Sequence, residues 1–158
     1  MPEITEGIIR PTGLIDVVVE TVKPFGVVIE RQRVKNLVVD AGLNILRDRI
    51  AGLSTSAVSH MAVGTGVGSV SAANTALSSE TFRNNITETI ATNKVMTFKM
   101  YLSSTQANGG GTSTLTEIGL FNAASGPTMF ARALLASSIP KSSLVTVTFT
   151  WQINFATT

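Results

Sequence analysis

The chain carries one histidine, His60, and no cysteine. A Ser-His-Asp hydrolase would have to use His60. A thiol nucleophile, a disulfide framework, a cysteine-ligated zinc and a multi-histidine metal site are excluded by composition. Serine is plentiful, but no Gly-x-Ser-x-Gly elbow occurs. A lone histidine beside a strand pattern is most often a packed or surface residue. The acids are scattered: Asp40 and Asp48 fall on one candidate helix, while Glu80 and Glu88 flank a less regular segment. No Asp-x-Asp or Asp-x-Asn calcium pattern appears. A paired-carboxylate glycosidase would need two acids side by side with aromatics for sugar stacking, and both are scarce. The expectation is a non-enzyme with no catalytic residues, no metal site and no cofactor.

Two further patterns invite ligands. The run Gly64-x-Gly66-x-Gly68 resembles part of a phosphate loop, but Ser69-Val70-Ser71 follows, without a lysine or a long amphipathic helix. Its bland reading is a tight strand exit where the backbone approaches a neighbour. Arg31, Arg33, Lys35, Arg47 and Arg49 cluster, and 31, 33 and 35 share one face of a strand. Glu30, Asp40 and Asp48 dilute that charge, and no aromatics interleave for base stacking. Ordinary solvated or inter-subunit charge is favoured over nucleic acid.

The elements that would position these residues are mostly strands. The chain has 158 residues, 44% apolar and 14% charged, with 21 Thr and 15 Ser. Low charge disfavours disorder, and hydroxyl richness with scattered glycine favours β structure over a helical bundle. Residues 14–22 and 26–34 form a hairpin around Lys23-Pro24-Phe25-Gly26, whose Pro and Gly suit a turn. Residues 36–52 change period. Leu43, Leu46 and Ile50 share a helical face, Asp40 suits the N-cap and Gly52 the C-cap, giving one short-to-medium helix around 40–52. Met61–Val63 reads as a strand, and Ser78–Arg83 as a helical turn or irregular stretch. Val95–Leu102, Leu115–Asn122 and Met129–Leu135 read as strands, and Ser137–Ser143 with Pro140 as a turn. From Val145 to Phe155 apolar residues alternate with Thr, Gln and Asn without a break, the mark of a strand packed on one face. The sum is a mainly β, antiparallel β-sandwich, jelly-roll-like, with an extended arm at 1–13 and a single domain at 14–158.

Charge is unevenly spread. Residues 1–50 hold 14 of the 22 charges, and residues 100–158 hold only Glu117, Arg132 and Lys141. The second half should therefore present a neutral, hydroxyl-rich surface suited to cover by neighbouring subunits. No apolar run reaches the ~18 residues of a membrane helix, and Met1–Arg10 shows no secretory signal pattern.

Five pieces recur in a telling order. They are Asn36-Leu37-Val38-Val39-Asp40-Ala41-Gly42-Leu43; Met61-Ala62-Val63-Gly64-Thr65-Gly66; Asn74-Thr75-Ala76-Leu77 with Glu80 and Arg83; Glu117-Ile118-Gly119-Leu120-Phe121-Asn122; and Met129-Phe130-Ala131-Arg132-Ala133. Together they resemble a structural module of tailed bacteriophages, met in tail-fibre, collar and related virion proteins, over roughly residues 36–155. The resemblance implies a non-enzymatic virion component, a homo-oligomeric tail, collar or fibre-attachment adaptor that docks on itself and on other virion proteins. A capsid decoration (cement) protein is the alternative, its arm reaching across capsomers. A carbohydrate-binding module, with Trp151 and Tyr101 stacking on a sugar ring, is the reading from another class. No membrane partner is expected.

Overall fold

The computed structural model describes residues 10–155. These form nine strands and one helix: β1 (Thr12–Lys23), β2 (Gly26–Val38), α1 (Asp40–Ile50), β3 (His60–Gly64), β4 (Glu80–Asn85), β5 (Glu88–Thr92), β6 (Val95–Leu102), β7 (Ser113–Phe121), β8 (Met129–Lys141) and β9 (Val145–Asn154). The expected mainly β, antiparallel fold with a single helix is the one observed. All neighbouring strands pair antiparallel in the order β4-β3-β7-β8-β2-β1-β9-β6-β5. The sheet curls around one continuous apolar core to which both of its ends contribute. The result is sandwich-like, with β4-β3-β7-β8 facing β2-β1-β9-β6-β5.

The two halves join at one corner, where β2 meets β8 through Leu37↔Arg132 and Val38↔Ala131. Beyond that corner the strands diverge. Leu115 pairs with Ile139 but Glu117 with Leu134, so β8 bulges over residues 135–138. The bulge frees the backbone of Ser137, and the Gln32 side chain takes both its groups. Gln32 Nε2 donates to the Ser137 carbonyl and Ser137 N–H donates to Gln32 Oε1, each at 2.9 Å. A side-chain amide thus stands in for a missing strand.

Period-two sequence becomes a two-sided layer. Ile15, Val17 and Val19 of β1, Val145, Val147, Phe149, Trp151 and Ile153 of β9, and Phe98, Met100 and Leu102 of β6 point inward and are buried. Each such side chain contributes about 1.5–3 kcal/mol on leaving water. Outward lies a hydroxyl and ion-pair face: Arg33–Asp16 and Lys99–Glu88, both 2.6 Å, flank Thr150 along one cross-strand row. Exposed pairs like these stabilise little and set register.

Helix α1 closes one end of the interior. Its inward residues are Gly42 and Ile45, with Leu43 and Leu46 partly covered. A Cβ on Gly42 would stand 2.1 Å from the Phe130 backbone oxygen, so the helix lies directly on β8. In an exposed helix interior Gly→Ala would stabilise by about 0.5–1 kcal/mol. Here overpacking against rigid backbone reverses the sign, and Gly42→Ala should cost about 1–3 kcal/mol in urea unfolding.

Several expectations are corrected. Asp40 is the first helical residue, not the N-cap; Val39 holds the cap position without a side-chain bond, and Asp40 pairs with Arg10. Ile50 is 88% exposed and leaves the packed face. Helix α1 stops at Ile50, with Gly52 beyond it at φ +71. Residues 78–83 are not helical: Glu80 onward is β4, held to β3 through pairs such as Ala62↔Arg83. Ser137–Lys141, Pro140 included, is strand rather than turn, because the bulge accommodates it beside β7. Phe155 ends the alternation and is 43% exposed. Of the expected arm, residues 1–9 lie outside the described residues, and Thr12 and Gly13 already belong to β1.

Candidate functional site

The centre of the molecule with the most concentrated chemistry is a buried ion pair, Glu117 of β7 with Arg132 of β8. Their side chains are 0% and 1% exposed and 2.8 Å apart. Adjacent strands bring them together, since Gly119 pairs with Arg132 and Glu117 with Leu134. The loop from Gly64 to Ser79 wraps over the pair. Glu117 Oε1 accepts from Gly66 N–H at 3.0 Å and Ser79 N–H at 2.7 Å; Oε2 accepts from Ser78 N–H at 3.0 Å and from Arg132. Arg132 Nη1 donates to the Ser69 carbonyl at 3.0 Å and Asn74 Oδ1 at 2.9 Å. Its Nη2 donates to the Gly68 carbonyl and Ser78 Oγ, both at 2.8 Å. Every donor of the guanidinium is engaged, which is the condition under which a charge can be buried.

The glycine run now has its physical reason. A Cβ on Gly64 would meet the Ser79 carbonyl at 2.3 Å, one on Gly66 would meet Glu117 Oε1 at 2.3 Å, and one on Gly68 would meet Ser78 Oγ at 2.4 Å. The glycines let the backbone close on a carboxylate of this chain, not on a phosphate. Burial works to raise the Glu117 pKa, but the Ser78 and Ser79 N–H groups and then Arg132 outweigh it. The carboxyl is held below its ordinary range.

Apolar side chains pack on the strands that carry the pair. Val39, Ala62, Leu77, Phe121 and Met129 form a small apolar cluster of their own. Arg83, in bidentate contact with Glu80, lies 3.8 Å over the Phe121 ring. Asp40 N–H donates to the Ala72 carbonyl and Val39 N–H to the Phe130 carbonyl. Segments around residues 64–66, 74–79, 117 and 132, far apart in sequence, supply the groups of this clasp, and residues 39–40 bond its loop at Ala72 and β8 at Phe130. Its groups are saturated and shut from water. What it does chemically is hold a loop: Thr65, Val67, Ser69, Ser71, Ala73 and Thr75 are presented outward on a fixed frame.

The other candidate residues are dispersed. His60 opens β3, and its Nδ1 lies 2.8 Å from Ser59 Oγ. Burial and then Arg83 lower its pKa, and the described hydrogen bonds give it no carboxylate to orient the ring. Each scattered acid has its own cation: Asp40 with Arg10, Asp48 with Arg47, Glu80 with Arg83, Glu88 with Lys99. Arg31, Arg33 and Lys35 do share the outer face of β2, where Asp16 takes Arg33. Among the described residues no group of His, Asp or Glu is arranged to hold a metal ion. Trp151 is wholly buried in the core and offers no stacking surface, whereas Tyr101 is 46% exposed.

Sequence reasoning noted that Glu117, Arg132 and Lys141 were the only charges after residue 100 but did not foresee that all three are inside. Lys141 is 0% exposed, with its ammonium donating to the Ser142 carbonyl at 3.1 Å and more weakly to Ser104 at 3.5 Å. From residue 100 to 155 the surface carries no charged side chain at all. The signal was available: three lone charges in strands that otherwise bury every second residue. Set against family models, curated proteins and solved structures, the chain finds no match in any of the three.

Proposed function

We propose that this chain is a structural component of a tailed-bacteriophage virion, an oligomeric tail, collar or fibre-attachment adaptor that works by docking protein on protein. The observation that carries the reading is the convergence of the resembling segments on the Glu117–Arg132 clasp. Four of the five short motifs supply groups to one clasp and the first bonds its loop and the adjacent strand, which supports reading them together rather than singly. The surface chemistry agrees. A surface of hydroxyls, such as residues 100–155 present, costs less to desolvate against a neighbour than one of charges, provided the hydroxyls find partners there. Exposed ion pairs on the outer face, such as Arg33–Asp16, would fix orientation rather than strength. Copies arranged by symmetry make modest contacts additive.

The test is imaging of purified particles in which this chain carries an electron-dense label. Density at regular, symmetry-related positions on the tail or collar is the expected result. Label on the head lattice would move the assignment to a decoration protein. Particles free of label would overturn the virion reading.

A further inference from the structure

We propose that Asn108 is a self-modification site: its side-chain amide is lost as ammonia through attack by the Gly109 nitrogen, and the aspartate formed pairs with the buried Lys141 ammonium. The inference stands apart from the adaptor reading.

The local chain makes Asn108 the reactive asparagine. The chain has nine asparagines, and Asn108 alone precedes a glycine. Asparagine is a thermolabile residue. A glycine after it puts no side chain in the way of its own backbone nitrogen, which can then reach the asparagine Cγ. The loop between β6 and β7, residues 103–112, leaves that route open. A Cβ on Gly110 or Gly111 would meet nothing within 4 Å, and one on Gly109 would meet only Ser113 Cβ at 3.9 Å. The backbone is left-handed on both sides of Asn108, with buried Ala107 at φ +56 and Gly109 at φ +60. A non-glycine residue in that region carries strain.

The hydrogen bonds of Asn108 suit the reaction. Its Oδ1 accepts from Gly110 N–H at 3.2 Å, and its Nδ2 donates to the Ser104 carbonyl at 3.3 Å. In the first step the Gly109 nitrogen releases its proton and bonds to Asn108 Cγ. Negative charge develops on Oδ1, where the Gly110 N–H already points. The Cγ–Nδ2 bond then breaks, and Nδ2 leaves as ammonia with the proton that the Gly109 nitrogen gave up. A succinimide ring remains. Water adds to the Cγ carbonyl, the bond from Cγ to the Gly109 nitrogen breaks, and that nitrogen regains a proton. An aspartate then stands at position 108 on an intact backbone. One water is consumed and one ammonia released, with no oxidant, reductant or cofactor.

Lys141 makes the product fit. Its ammonium donates to the same Ser104 carbonyl oxygen at 3.5 Å, so the Lys141 and Asn108 side chains converge on one atom. Lys141 is 0% exposed, and its other acceptor is the Ser142 carbonyl at 3.1 Å. Glu117 and Arg132, the other charges after residue 100, are committed to each other. Lys23 and Glu30 border the adjoining cleft beside Thr112 and Ser142, but both are exposed and make no ion pair among the described residues. A buried cation held by carbonyls alone is costly. An oxygen anion in place of Nδ2 is repelled by the Ser104 carbonyl and drawn to the ammonium. The modification thus supplies the missing counter-charge and ties the 103–112 loop to β8.

The test has a chemical arm and an energetic arm. Full-length protein is held at about pH 8 and about 37 °C for about two weeks, then digested and its asparagine peptides measured by mass spectrometry. The peptide holding Asn108 should gain about 1 Da well ahead of all the others, and Gly109→Ala should abolish the gain. An Asn108 that stays unchanged, or changes no faster than the other asparagines, would overturn the modification. The pairing is read from Asn108→Asp, made in wild type and in Lys141→Met, with circular dichroism to verify each fold. Asn108→Asp should raise the urea midpoint where Lys141 is present and should not raise it where methionine replaces the lysine. Equal shifts in the two backgrounds, or a lowered midpoint with Lys141 in place, would overturn the pairing. Neither result bears on the virion assignment, which the particle imaging judges by itself.

Discussion

Glu117→Ala is expected to lower the stability of this protein by about 3–5 kcal/mol, the usual cost of leaving a buried partner charge uncompensated. Arg132 would remain enclosed without its counter-charge, and the N–H groups of Gly66, Ser78 and Ser79 would lose their acceptor. Each orphaned buried group adds about 1–3 kcal/mol before the loop relaxes. In a chain of this size the melting midpoint should fall by roughly 10 °C. Glu117→Gln keeps an acceptor oxygen in place and should cost less. The double variant Glu117→Ala/Arg132→Met should cost less than the sum of its parts, with a coupling of about 1–3 kcal/mol. It should still fall short of wild type, because the Gly68 and Ser69 carbonyls would go unpaired. Urea unfolding of the four proteins checks this, and a loss below about 1 kcal/mol for Glu117→Ala would contradict it. The pH dependence has a fixed sign. The native carboxyl is held below its ordinary value, so the native state binds fewer protons than the unfolded one. The clasp's contribution is complete above the ordinary carboxylate range and drains away as pH falls through it toward the lowered native value. Glu117→Gln should lose this part of the pH dependence and keep the part that belongs to Asp48, whose bonds to Arg47 and Thr55 also hold its carboxyl below the ordinary range.

Lys141→Met should act in the opposite direction and stabilise the protein by about 1–4 kcal/mol at neutral pH, as apolar replacements of buried ionic groups can. The ammonium is fully enclosed, meets two carbonyls and has no carboxylate partner among the described residues. Methionine matches its stem and removes the desolvation cost. Burial lowers the lysine pKa. Between that lowered value and the ordinary lysine value the unfolded state holds more protons than the native state, so wild-type stability rises with pH there. The advantage of Lys141→Met should therefore be full below the lowered pKa and shrink as pH approaches the ordinary lysine range. Paired urea titrations at neutral and alkaline pH measure it. An advantage that stayed constant would show that the lysine is not burying its charge.

Much of the fold could be read from the chain directly, because strand chemistry is local. The alternation from Val145 to Ile153 states which face is packed, and the structure buries those residues. Lys23-Pro24-Phe25-Gly26 states a turn, and β1 and β2 pair around it in the matching register. The hydroxyl-rich second half states a surface poor in charge. The misreadings share one cause. Ser137–Lys141 looked like a turn because Pro140 and serines favour one, yet a bulge and the Gln32 side chain make room for it in a strand. Ser78–Arg83 gave no clear period, and its neighbours β3 and the Glu117 carboxylate decided its path.

By itself, then, the sequence determined the strand-rich class, the single helix and the hairpin, since these follow from side-chain period and turn residues within a dozen positions. Only the tertiary structure decided that Gly66, Asn74, Glu117 and Arg132 are one object. That depends on which strands become neighbours. That choice is made by burial summed over the whole chain, and no short window of residues contains it.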